Sequence, residues 1–139
     1  MIVSSSTSTA IGEYFVLGEI LKRGMEAFLA NGNTQKGWDI AVITENGVKR
    51  IQVKTINWPE SKAVNGNFLN FDFLVVVLLN NQEPRSRFFI FDKKEIEPLL
   101  SPLNENRKNK SRTITFSGLF TKKHSKSEDA WGKIPNKDF

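Results

Sequence analysis

Residues 37–55, GWDIAVITENGVKRIQVKT, decide how the rest of the chain is read. They hold two strand-like runs, WDIAVIT and VKRIQVKT, joined by the turn-forming ENG of a tight β-hairpin. Asp39 opens the first run. Gln52 and Lys54 lie two apart near the end of the second, so the two-residue period of a strand sends both to one face. The hairpin spacing brings Asp39 beside Gln52, and an acid, an amide oxygen and an amine converge. Two oxygen donors with a nearby ammonium suit a hard cation such as Mg²⁺ and an activated water. The same polar residues alternating with Ile51 and Val53 are also what any strand with one wet face presents.

Upstream, Ser and Thr residues before position 10 offer an N-cap, and Gly24 after Lys22 and Arg23 reads as the stop of a helix with a basic last turn. Within IGEYFVLGEILKR, Glu13 falls in line with Val16, Leu17 and Ile20, whereas Glu19 shares the other side with Gly12, Lys22 and Arg23. Glu19 is then the solvated carboxylate, and Glu13 needs a positive or hydrogen-bonding partner inside. A cation held by Asp39 would serve. The competing reading is an acid in the first helical turn that favours the helix dipole and reaches solvent. MEAFLA after Gly24 reads as a short edge strand, and NGNTQK as a polar loop leading to Gly37.

Glu13 on the first helix, Gly24 after it, GWD at Gly37 to Asp39 and IQVKT at Ile51 to Thr55 together resemble the PD-(D/E)XK nuclease superfamily. The likeness is nearest to small Holliday-junction-resolvase-like and intron-type endonuclease domains with a Q-x-K variant of the motif. It implies a restriction-endonuclease-like α/β fold, mixed α+β, with a central mixed β-sheet of about five strands flanked by helices. It implies Asp39 as the central metal ligand, Gln52 in place of the usual acidic ligand, and Glu13 as the helix glutamate that assists metal binding. Lys54 would orient or activate water, with Mg²⁺ or Mn²⁺ as cofactor. It further implies a helix crossing the sheet between Ile56 and Leu69, and a homodimer, because symmetrical cleavage of two strands needs two active sites. Gln52 leaves the site one negative charge short of the family's usual set.

Downstream, FDFLVVVLL is a near-continuous apolar run that reads as a strand buried on both faces at the sheet's centre, with RSRFFIFD paired beside it through NNQEPRS. Asp92 and Glu95 form a capping pattern for a helix to about Leu100, shortened by Pro98. Phe71, Phe88, Phe89 and Phe91 read as core rather than as a stacking platform for bases. PLNENRKNKSR is a polar loop and TITFSGLF a last strand. TKKHSKSEDAWGKIPNKDF is a basic, flexible tail anchored by Trp131, in which His124 is solvated. The organisation expected is a nuclease-like core over residues 1–103 and a basic extension of the same domain over residues 104–139.

Composition agrees with a single core: 139 residues, 39% hydrophobic and 25% charged, with no apolar run long enough to span a bilayer. MIVSSSTST lacks the basic and apolar regions of a secretory signal, and the chain has no cysteine, so a cytoplasmic protein without disulfides or thiolate metal sites is expected. Residues 1–100 carry 11 Lys and Arg against 11 Asp and Glu, and residues 101–139 carry 9 against 4. The net charge of +5 therefore belongs to the tail. Arg107, Lys108, Lys110, Arg112, Lys122 and Lys123 are the candidate DNA phosphate contacts, although a basic tail that only aids solubility has the same composition. One histidine supports no Ser/His/Asp triad, and no Walker loop or dinucleotide fingerprint is present. The expected function is a metal-dependent DNA endonuclease, structure-specific in the resolvase manner. The alternatives are a catalytically inactive nuclease-fold module that binds nucleic acid or protein, which Gln52 favours, and an interaction protein whose basic tail meets an acidic partner.

Overall fold

A computed structural model describes residues 4–30, 37–80, 85–103, 106 and 111–136. The first helix, α1 (Ser5–Lys22), starts earlier than the apolar pattern suggests, because Ser4 caps it by accepting a hydrogen bond from Thr7 N at 3.3 Å. Its buried stripe is Ser8, Gly12, Val16 and Ile20, one residue every four. This corrects the assignment of Gly12 to the solvated side. Glycine carries no hydrophobic signal, yet a Cβ at position 12 would collide with Thr55 Oγ1, so its absence lets the helix lie directly on the sheet. Glu19 is on the outer side as expected, paired with Lys22 and Arg23.

Strands β1 (Glu26–Leu29), β2 (Ile40–Thr44), β3 (Gly47–Asn57), β5 (Phe73–Leu79) and β6 (Arg87–Asp92) form one mixed sheet in the order β1-β2-β3-β5-β6. Neighbours are antiparallel except β3 and β5, which run parallel. The hairpin of residues 37–55 is present with Ile40 opposite Ile51 and Thr44 opposite Gly47. Every residue of β5 is buried, as its apolar run requires, but β3 takes the middle of the sheet and β5 the place beside it.

The crossover between the parallel strands corrects the family expectation of a helix. The chain from Trp58 to Asp72 instead contains a short strand, β4 (Ala63–Gly66), paired antiparallel with β7 (Arg112–Thr115) in a separate two-stranded ribbon. Pro59, Gly66 and the asparagines at 65, 67 and 70 make this stretch a poor helix, and a crossover needs only length, not a particular element. TITFSGLF thus supplies a strand, to the ribbon rather than to the main sheet.

One face of the sheet is covered by α1, with Val16 and Ile20 packed in the same core as Ile40, Ile51, Val75 and Ile90. The other is covered by the ribbon, where Ile114 and Phe116 join Leu74, Val76, Phe89 and Phe91. Phe71, Phe88, Phe89 and Phe91 are all core residues. Asp92 caps α2 (Lys93–Ile96) in a capping box with Glu95, and the chain then tightens into a 3-10 turn at Glu97–Leu99.

Residues 111–136 are folded, against the expectation of a flexible tail. After β7 come α3 (Gly118–Lys123), a 3-10 turn at Ser125–Ser127 and α4 (Lys133–Asn136). Trp131 is 2% exposed and sits in the helix-side core with Ile134, its ring 5.4 Å from that of Phe88 and under the Arg23 guanidinium at 4.9 Å. Arg87 grips Glu128 with two hydrogen bonds of 2.8 and 2.9 Å. His124 is half-buried against Phe120, with ring centroids 4.3 Å apart, rather than solvated, and desolvation followed by the charge of Lys123 holds its pKa below the usual value. No helix among the described residues is long and apolar enough to cross a membrane.

Candidate active site

The register that pairs Ile40 with Ile51 sets Asp39 opposite Gln52, at the end of the sheet where the hairpin meets α1. Asp39 is fixed by its backbone and its side chain together. Its N–H donates to Ile51 O at 2.7 Å, its carbonyl accepts from Ala30 N at 2.8 Å, and its carboxylate Oδ2 accepts from Val53 N at 2.7 Å. Gly37 makes the approach to this position feasible. Its φ is +87°, and a Cβ there would stand 2.6 Å from the Leu69 carbonyl oxygen. Trp38 packs against the ribbon-side core.

Helix α1 brings Glu13 to the same point, because Gly12 seats the preceding turn on Thr55. Burial, the Asp39 charge and a side-chain hydrogen bond with Asp39 push the Glu13 pKa up to about 6. Burial also raises the pKa of Asp39, opposed by the Val53 N–H, the Lys54 charge and the Glu13 hydrogen bond. Lys54 has its pKa lowered by desolvation, with the Asp39 charge working the other way. Two acids pressed together beside a desolvated amine are a pre-assembled polar cluster in which charge is under tension.

Gln52 is 8% exposed, and no described donor reaches its Oε1. A buried amide oxygen without a partner is costly. Asp39, Glu13 and Gln52 therefore offer three oxygens, two from acids already pressed together and one unsatisfied, which is a donor set that fits a hard divalent cation. Among the described residues no three His, Asp or Glu side chains gather at one point, so the acids alone do not make a three-carboxylate site.

Asp39, Gln52 and Lys54 line a cleft of about 670 Å³. One wall is the first turns of α1, with Ser5, Ser8 and Thr9, and the other is the start of the ribbon, with Ser61, Val64 and Asn65. These wall residues were not singled out in the sequence, where the Ser/Thr run signalled only a helix start and residues 56–69 carried no strand period. A larger hollow of about 740 Å³ runs over the outer side of α1 past Tyr14, Phe15 and Arg85. Its Lys22 and Arg23 are already paired with Glu19, and it gathers no set of groups suited to chemistry.

Arg107, Lys108 and Lys110 lie outside the described residues. The Arg112 guanidinium is engaged within the fold, donating to Ser101 O at 2.9 Å and to Glu97 Oε1 at 3.0 Å. Lys122 and Lys123 are exposed in the last turn of α3.

A mixed five-stranded sheet flanked by helices, with this element order, is a restriction-endonuclease-like fold. Among solved structures the chain is similar to the bacterial homing endonuclease I-Ssp6803I, with a TM-score of 0.61 and 17% identity over 94% of this chain and 91% of that one. It is also similar to Hjc, a Holliday junction resolvase of the archaeal hyperthermophile Archaeoglobus fulgidus, with a TM-score of 0.49 and 18% identity over 77% and 83%. At 17% identity the likeness to the homing endonuclease is one of fold. No family model and no curated protein matches the chain.

Proposed function

We propose that this protein is a metal-dependent DNA endonuclease that hydrolyses phosphodiester bonds in the cleft between α1 and the ribbon, with specific or branched duplexes as substrates. The gathering of Asp39, Gln52 and Lys54 in one cleft, with Glu13 against Asp39, carries this reading. Mg²⁺ or Mn²⁺, when bound, supplies positive charge for the phosphate and lowers the pKa of a water molecule. Asp39, immobilised by Val53 N, is the central ligand. Gln52 completes the oxygen set with an amide that needs a partner. Glu13, which lies against Asp39, would be the third ligand. Lys54 holds the attacking water or balances the charge of the phosphate. The exposed Lys122 and Lys123, together with Arg107, Lys108 and Lys110, contact the DNA phosphates. A homodimer would supply the second site that double-strand cleavage needs.

The test is incubation with supercoiled plasmid and four-way-junction DNA in Mg²⁺, Mn²⁺ or EDTA. Cutting is expected with either ion and not in EDTA, and it should be lost in Asp39→Ala and in Lys54→Ala. The neutral Gln52 favours one other reading, a nuclease-fold module that binds DNA without cutting it. That reading wins if the wild type cuts nothing and binds DNA equally well in EDTA.

A further inference from the structure

The ribbon of β4 and β7 does more than cover the sheet, because its free end closes over the tip of Lys54. Gly66, the last residue of β4, faces the Lys54 side chain so closely that an alanine Cβ in its place would stand 3.0 Å from Nζ and 3.1 Å from Cε. Two residues further on, the Phe68 ring lies with its centroid 5.9 Å from Nζ, within cation–π range. The ammonium therefore has Asp39 as its charge partner, an aromatic ring nearby and a backbone without a side chain pressing on it.

The chain takes a strained path to make this contact. Phe68 is 5% exposed and has a φ of +53°, in the left-handed region that bulky side chains rarely enter, and Asn70 follows with a φ of +56°. Such a conformation persists only where its surroundings over-determine it. Those surroundings are specific. Gly66 is paired in the ribbon with Arg112, whose guanidinium is bound to Ser101 and Glu97. Asn65 accepts a 2.6 Å hydrogen bond from Thr113 Oγ1 across the ribbon. The ribbon is thus tied through Arg112 to Ser101 and Glu97 at the point where it overhangs Lys54.

We propose that Gly66 and Phe68 are positioning residues for Lys54. Gly66 leaves the room that the ammonium occupies, and Phe68 keeps it turned towards Asp39. This rests on the nuclease reading for its consequence in catalysis, but not for its geometry. Gly66→Ala is the informative change. The backbone there needs no left-handed φ, and the atoms that must give way belong to the end of a flexible side chain, so the fold should survive while the amine moves by a few tenths of an ångström. A misplacement of about 1 Å costs about a hundredfold in rate, so about tenfold is expected here.

The experiment compares wild type, Gly66→Ala, Phe68→Leu and Gly18→Ala, the last having open space at its Cβ. Three quantities are measured: the plasmid-cutting rate at saturating DNA, the DNA concentration giving half that rate, and the ¹⁵N resonance of the Lys54 ammonium. Gly66→Ala and Phe68→Leu should cut about tenfold more slowly at an unchanged half-saturating concentration, with a shifted Lys54 resonance. Gly66→Ala should keep its thermal midpoint, and Gly18→Ala should match wild type in rate and resonance. Gly66→Ala cutting within twofold of wild type, or an unshifted resonance, overturns the proposal. If the wild type cuts no DNA, the nuclease reading fails separately. The resonance in Gly66→Ala then decides alone, a shift upholding the positioning and none overturning it.

Discussion

Replacing Gly12 by alanine should destabilise this protein even though alanine is the better helix former. In an open helical position the change gains about 1 kcal/mol. Gly18, six residues along the same helix, is such a position, since nothing lies within 4 Å of its Cβ direction. At Gly12 the new methyl meets Thr55 Oγ1 head-on, with Thr55 Cβ at 3.1 Å and Cγ2 at 3.5 Å. Rotating the threonine does not clear the way, because one other rotamer puts the methyl where the hydroxyl was and every rotamer leaves Thr55 Cβ at 3.1 Å. The helix has to lift, at an overpacking cost of about 1–3 kcal/mol. Because the propensity gain is common to both sites, the difference between Gly12→Ala and Gly18→Ala in urea unfolding should equal that overpacking cost. Thr55→Ala should remove most of it, leaving a coupling of about 1 kcal/mol or more in a double-mutant cycle. Lifting α1 also carries Glu13 away from Asp39, so Gly12→Ala should weaken divalent-ion binding as well. Equal stabilisation by the two alanines would refute the account of how α1 sits on β3.

Three further outcomes follow from the same geometry. Glu13 has a folded pKa of about 6 against an ordinary value of 4.5, so the folded protein binds more protons across that window and the metal-free protein loses stability as pH rises through it. After discounting for partial exposure this is about 1 kcal/mol, measurable as the pH 4.5 to 7 change in stability of wild type relative to Glu13→Gln. Trp131→Ala should cost about 3–5 kcal/mol in chemical denaturation, where a residue in a solvated tail would cost under about 0.5 kcal/mol. Reversing Lys122 and Lys123 to glutamate should flatten the salt dependence of DNA binding by about 0.9 log units for each phosphate that is no longer neutralised, and an unchanged slope removes α3 from the DNA-binding surface.

What could be read from the sequence follows the range of the signals. The hairpin was legible because its cues are local: a two-residue turn, alternating apolar residues, and a spacing that fixes Asp39 opposite Gln52. The fully buried β5 was legible from its composition, and the box at Asp92 and Glu95 from two residues three apart. The ribbon was not, because Val64 is the only buried residue of β4 and its partner Ile114 is supplied from beyond β6. The ordered C-terminal segment was hidden for a similar reason. Trp131 and Ile134 are isolated apolar residues among lysines and acids, and their burial depends on surfaces made by Phe88 and α1. Glycines left no trace in any periodicity, so neither the approach of Gly12 to Thr55 nor that of Gly66 to Lys54 could be anticipated.

The central claim is that Asp39, Gln52 and Glu13 form a cation site beside Lys54, and a Mn²⁺ titration of ¹⁵N-labelled protein tests it most directly. Paramagnetic broadening reports weak binding and locates it, which suits a site with a neutral amide among its ligands. Broadening should centre on the amides of Glu13, Asp39, Gln52 and Val53, disappear in Asp39→Ala, and saturate at lower Mn²⁺ in Gln52→Glu, where a third carboxylate faces the ion. Broadening centred elsewhere, or unaltered by Asp39→Ala, would contradict the account.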